Sequence, residues 1–148
     1  MEKMHFNVHI HAPKEKVWST LWEDASYRAW TSAFAEGSYA VTDNWKKGTK
    51  VLFLGPGESG MVSMVAENRP YEYMSFLHQG VVKDGVEDTI SDEVKQWKGA
   101  TENYTLAESA RGTDLIIDMQ GEINADFKEY FEKTWPIALG KLKELAEK

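Results

Sequence analysis

The chain contains no cysteine. That excludes disulfides, thiol nucleophiles and zinc sites built on thiolates, and it fits a reducing compartment. Long apolar runs are missing too: no stretch approaches the roughly 20 residues needed to cross a bilayer. The opening residues, with Glu2, Lys3 and His5, hold no apolar signal core. A cytoplasmic protein with no membrane partner is expected. No basic cluster is present either. The lysines are scattered among acids and the net charge is −7, so phosphate backbones are repelled and nucleic acid is excluded as a partner. The segment Gly55-Pro56-Gly57-Glu58-Ser59-Gly60 is rich in glycine but has no Lys-Ser/Thr pair and no helix behind it, so it reads as a hairpin loop. The acidic run at 84–93 lacks the Asp-x-Asp-x-Asp-Gly order of a calcium loop. No cofactor and no metal are expected. No internal repeat or low-complexity tract divides the chain.

What is present is apolar material. Hydrophobic residues make up 42% of the 148, with six Trp, six Tyr and six Phe, which is ample for one domain over 1–148 with one core. Met4, Phe6, Val8, Ile10 and Ala12 alternate with polar residues, the mark of a strand with one buried face. Pro13 suits the first position of a helix, where its missing N–H would be unpaired anyway. Val17, Trp18, Leu21 and Trp22 then recur at helical spacing, and Asp24 is placed to cap a second short helix through Trp30. Six short strands follow, at 38–42, 49–54, 61–67, 72–79, 102–106 and 113–119, separated by Gly, Pro and Asn turn signals. The stretch 80–100 does not alternate and reads as a long loop with about one helical turn. Phe127, Phe131, Trp135, Ala138, Leu142 and Leu145 recur at steps of three or four and predict a helix over 125–147, capped by Asn124 and kinked at Pro136. The fold class is α+β, with a curved antiparallel sheet in the order β-α-α-β-β-β-β-β-β-α wrapped on the long terminal helix.

A strand ending in Ala12-Pro13, then Val17-Trp18, Leu21 and Trp30, resembles the start of helix-grip domains of the START and pollen-allergen (SRPBCC) superfamily. More narrowly, Gly48-Thr49-Lys50-Val51-Leu52-Phe53, the turn Arg69-Pro70-Tyr71-Glu72, Phe76-Leu77-His78, Trp97 and Glu102-Asn103-Tyr104-Thr105-Leu106 are similar to bacterial single-domain relatives of the activators of the ninety-kilodalton heat-shock protein ATPase. Gly112-Thr113-Asp114-Leu115 and Phe131, Trp135, Leu139 and Leu142-Lys143 extend that likeness to the end of the chain. The resemblance implies a sheet gripping a helix with a cavity between them. It also implies a small hydrophobic ligand there, or a chaperone as partner; some members of the superfamily are cyclases or aromatases.

Candidate site residues follow from parity and composition. His78 shares a strand face with Met74 and Phe76, and Glu102 shares one with Tyr104. A few polar groups in an apolar pocket can orient a ligand, and a His, a Glu and a Tyr can act as acid and base. They can equally satisfy one another at the sheet rim. The rings of Trp30, Phe34, Phe53, Phe76, Phe127, Phe131 and Trp135, with the adaptable side chains of Met64 and Met119, can line a cavity or simply fill a core. His5, His9 and His11 share the polar face of the first strand, about 7 Å apart at neighbouring positions, and point away from any cavity. Ser59 has no His or Asp in a nucleophile pattern. The function expected is binding of a small hydrophobic molecule between helix and sheet, with no catalytic residue assigned. The alternatives are a co-chaperone-like interaction domain and a cyclase- or hydrolase-type enzyme using the same pocket.

Overall fold

The structure is a computed structural model that describes residues 2–122 and 125–148. Strand β1 (Glu2–Ile10) leads through Pro13 into helices α1 (Lys14–Trp22) and α2 (Asp24–Thr31). Strands β2 (Tyr39–Val41), β3 (Lys50–Gly55), β4 (Ser59–Arg69), β5 (Tyr73–Lys83) and β6 (Val86–Asp88) follow, with a 3-10 turn at Pro56–Glu58 joining β3 to β4. The short helix α3 (Asp92–Lys95), strands β7 (Thr101–Ser109) and β8 (Gly112–Gly121) and helix α4 (Ala125–Ala146) complete the order. The described strands form one antiparallel sheet, β1-β8-β7-β5-β4-β3-β2, with β6 paired on β5. β1 closes onto β8 rather than its sequence neighbour, because α1 and α2 carry the chain away to the far edge.

The alternation of β1 places Met4 and Ile10 in the core and His5 outside. The opposite face of α4 supplies Trp135, Ala138, Leu139, Leu142 and Ala146, which meet the sheet with Leu115, Ile117, Met74 and Phe76. The α+β grip is therefore as the patterning predicts. Details differ. Pro13 precedes the helix as its N-cap, in extended backbone, and its carbonyl accepts from the N–H groups of Lys16 and Val17. Asp24 is the first residue of α2 rather than its cap, and its carboxylate pairs with Arg28 one turn on, at 2.9 Å. The stretch 80–100 is more ordered than a loop: β5 runs on to Lys83, turns into β6, and α3 is capped by the Ser91 side chain accepting from Val94 N–H. α4 runs on as helix through Pro136. The expected cap Asn124 lies outside the described residues.

One end of the grip is tied shut. Glu147 accepts from the His11 backbone N–H at 2.8 Å, and the Lys143 ammonium donates to the His9 carbonyl at 2.8 Å, fixing the last turn of α4 to the end of β1. The first turns of α4 are exposed from Ala125 to Tyr130 and are held by the Tyr130 hydroxyl, which donates to the Phe34 carbonyl. A second, smaller cluster of Leu54, Val62 and Val82 lies on the other face of the sheet. No described helix is long and apolar enough to cross a membrane.

Candidate functional site

Two β-bulges on the β4–β5 ladder shape the interior. Ser63 pairs with His78 and Val62 with Gly80, so Gln79 is the extra residue. A bulge of one residue reverses which side chains face inward. Ahead of it Met74, Phe76 and His78 point toward α4; beyond it Val82 joins the cluster on the outer face. The His78 backbone is locked in place, its N–H donating to the Ala100 carbonyl at 2.9 Å and its carbonyl accepting from Gly99 N–H at 3.0 Å.

This arrangement brings four polar side chains together in an aromatic interior. The Ser63 hydroxyl lies 2.6 Å from His78 Nδ1. His78 Nε2 lies 3.2 Å from Glu102 Oε1. The Tyr104 hydroxyl donates to Glu102 Oε2 at 2.5 Å. Three neighbouring strands, β4, β5 and β7, therefore hold an unbroken chain Ser63–His78–Glu102–Tyr104. Three of its members are buried, and the Glu102 side chain is 18% exposed. A carboxylate has only acceptors to offer, so Glu102 accepts from the Tyr104 hydroxyl and from a proton on His78 Nε2, and with the proton there Nδ1 accepts from Ser63. The carboxylate reaches further still. Burial, reinforced by the negative charge of Glu102, pushes the Tyr27 and Tyr104 phenols well above the usual range.

The sequence-derived residues divide into four groups. His78, Glu102 and Tyr104 do converge, within a shell that includes Phe76, Trp135 and Met119. Trp30 belongs to the deep core beside Tyr27, its indole N–H donating to the Leu21 carbonyl at 3.2 Å. Phe34, Phe53 and Phe131 are partly buried and rim the end beside the first turns of α4: Phe34 lies 4.9 Å from Trp135, Phe53 lies 5.0 Å from Phe76 and 6.3 Å from His78, and Phe131 packs at the edge of the core.

Two residues fall elsewhere. Met64 pairs across the ladder with Lys50 and Leu77, and its neighbours Ser63 and Val65 take the inward face, so Met64 points outward. Phe127 is 56% exposed and stacks on Phe131 rather than entering the interior. The reason is helical geometry. At 3.6 residues per turn each step of four overshoots by about 40°, so Phe127, two such steps before Trp135, has rotated off the buried stripe.

Ser63 and Tyr27 were not singled out from sequence. For Ser63 a signal existed: it shares strand parity with Met61 and Val65, a polar residue on an apolar face. Tyr27 carried none beyond its helical spacing. On the outer face His5 lies 2.7 Å from Asp118 and His9 lies 2.7 Å from Asp114, each bridging β1 to β8. Among the described residues no three potential metal ligands converge. The space between α4 and the sheet is packed with rings. Two surface clefts lie elsewhere, one of about 430 Å³ beside Pro13 and Arg111, the other of about 300 Å³ between Val82 and Trp97.

No protein-family description matches the chain, and no curated protein does. Solved structures do. The solution structure of the Aha1 dimer from Colwellia psychrerythraea is 17% identical, with a TM-score of 0.75 over 99% of this chain and 97% of that one. Protein MLL2253 from Mesorhizobium loti is 16% identical, with a TM-score of 0.74 over 97% of this chain and 96% of that one. CalU16 from Micromonospora echinospora is 14% identical, with a TM-score of 0.69 over 97% of this chain and 65% of that one. At such identities the likeness shows a shared architecture: the chain has a helix-grip fold.

Proposed function

We propose that the protein binds a small, mainly apolar molecule at the end of the grip formed by the exposed first turns of α4, between α4 and the sheet, in the cytoplasm. The observation that supports this most is the pairing of two features at one place. The Ser63–His78–Glu102–Tyr104 chain is set into an otherwise aromatic interior, and the rings nearest to it on the open side, Phe34 and Phe53, are only partly buried. Apolar walls with a few convergent polar groups are the usual composition of a small-molecule site. The rings now pack against one another edge to face, so a ligand enters by displacing Phe34 and Phe131, and its affinity comes mainly from apolar burial at about 25 cal/mol per Å² before the costs of association.

A second reading, a cyclase- or hydrolase-type enzyme, is favoured by one observation: the Ser63 hydroxyl touches an imidazole whose other nitrogen faces a carboxylate. Ser63 has no exposed surface, however, which favours the binder. A chaperone is a third partner class, suggested by fold likeness to Aha1 alone. The test is a titration of the ¹⁵N-labelled protein with a panel of neutral aromatic and aliphatic molecules. Shifts that cluster on Phe34, Phe53 and Trp135 support the binder. Shifts confined to the outer sheet face, or none, refute it. Turnover of the bound molecule would replace the binder with the enzyme.

A further inference from the structure

Two interior indole N–H groups have no hydrogen-bond partner, those of Trp22 and Trp135. Trp135 is 3% exposed. A buried donor left unpaired forfeits the bond it made to water in the unfolded chain, and native interiors rarely keep one. The fold can pair an interior indole when its position allows, as Trp30 does with the Leu21 carbonyl. The polar chain beside Trp135 does not reach it: none of Ser63, His78, Glu102 and Tyr104 accepts from the indole.

The two indoles differ in position. Trp22 sits on α1, between the partly buried rings of Trp18 and Trp45 and the buried Phe76 and Tyr104, whereas Trp135 is on the grip helix α4 itself. Trp135 lies directly beneath the partly buried rings of Phe34 and Phe6, at 4.9 and 5.9 Å, so it is one ring away from the open end. Its other neighbour is Tyr104, at 6.1 Å, whose hydroxyl holds the Glu102 carboxylate. An acceptor reaching Trp135 therefore comes close to a partly buried negative charge. In a medium of low dielectric an anionic acceptor would be strongly repelled there, and a neutral oxygen would not.

We propose that the molecule bound in the grip carries a neutral acceptor oxygen, a ketone or quinone carbonyl on an apolar skeleton, and that the Trp135 indole N–H receives it. The inference rests on the binding reading above and names the chemical class of the ligand.

Three probes matched in shape test it: acetylnaphthalene, ethylnaphthalene and naphthoate. The ketone binds roughly five-fold more tightly than the hydrocarbon, the worth of one net hydrogen bond, and naphthoate binds most weakly. The Trp135 indole proton moves downfield with the ketone and not with the hydrocarbon. In Trp135→Phe the ketone-to-hydrocarbon ratio falls to about one, whereas Trp22→Phe leaves it intact. Should Trp135→Phe fail to fold, the indole resonance of the unaltered protein decides. Equal affinity for ketone and hydrocarbon with an unmoved Trp135 resonance overturns the inference and leaves the binding reading standing. Tightest binding of naphthoate, or an internal water that stays on the indole N–H when the ketone is bound, also overturns it. Failure of all three probes to bind removes the binding reading and this inference with it.

Discussion

Glu102→Leu is the most informative single change. The carboxylate accepts from His78 at 3.2 Å and from Tyr104 at 2.5 Å, and those two residues are 4% and 2% exposed. Removing it strands two buried polar groups, each at about 1–3 kcal/mol. The new leucine recovers about 1–2 kcal/mol of apolar burial. Taking the middle of each range, the net expectation is a loss of about 2.5 kcal/mol. The combined variant Ser63→Ala, His78→Leu, Glu102→Leu, Tyr104→Phe removes every partner at once and leaves nothing unpaired. Its stability should return to within about 1 kcal/mol of the unaltered protein, because replacing a whole buried polar group set by apolar residues is often neutral or favourable. Urea unfolding followed by tryptophan fluorescence gives both values from the midpoint and slope. The reasoning is refuted if Glu102→Leu is neutral, which would mean the carboxylate does not couple its neighbours. It is equally refuted if the combined variant loses as much as the sum of its single changes.

Three further expectations follow from the same geometry. Tyr27 and Tyr104 have folded-state pKa values raised above the unfolded value near 10, so the stability they confer is complete below about pH 10 and falls as pH climbs toward the folded values, by about 1.4 kcal/mol per pH unit for each phenol. Tyrosine absorbance in alkali should show both rings ionising only as the protein unfolds, and ionisation of all six without unfolding would contradict this. Leu142→Ala, at a fully buried position on α4, should cost about 2–5 kcal/mol in thermal unfolding, whereas Phe127→Ala should stay within about 0.5 kcal/mol; equal losses would mean the first turns of α4 pack on the sheet. Gly80→Ala places a methyl 2.1 Å from the Asp88 carbonyl oxygen and should destabilise by about 1–3 kcal/mol while shifting the His78 resonances. Unchanged His78 signals would break the proposed link between the β5 bulge and the site.

The architecture was legible because it rests on periodicity. Period two in β1 and the helical stripe from Trp135 to Leu142 each report one buried face, and the single long amphipathic helix left one element to cover the sheet. Bulges were not legible. A sequence does not mark which residue a ladder skips, so the reach of β5 to Lys83 was missed, although the parity of His78 held because it precedes the bulge. Phe127 was misplaced by treating steps of four as exact repeats, when the drift of the helix carries them off the buried stripe. Hydrogen-bond partnership lay furthest from reach. Glu102 and Tyr104 were paired by strand parity, but whether an indole such as Trp135 finds an acceptor depends on packing distances that no linear pattern encodes.

The central claim concerns what the grip encloses, and native mass spectrometry of protein purified from its own host addresses it without a choice of probe. The account predicts a small neutral adduct that survives gentle ionisation and disappears on denaturation. A bare polypeptide mass under the gentlest conditions, in protein that has never been unfolded, would contradict it.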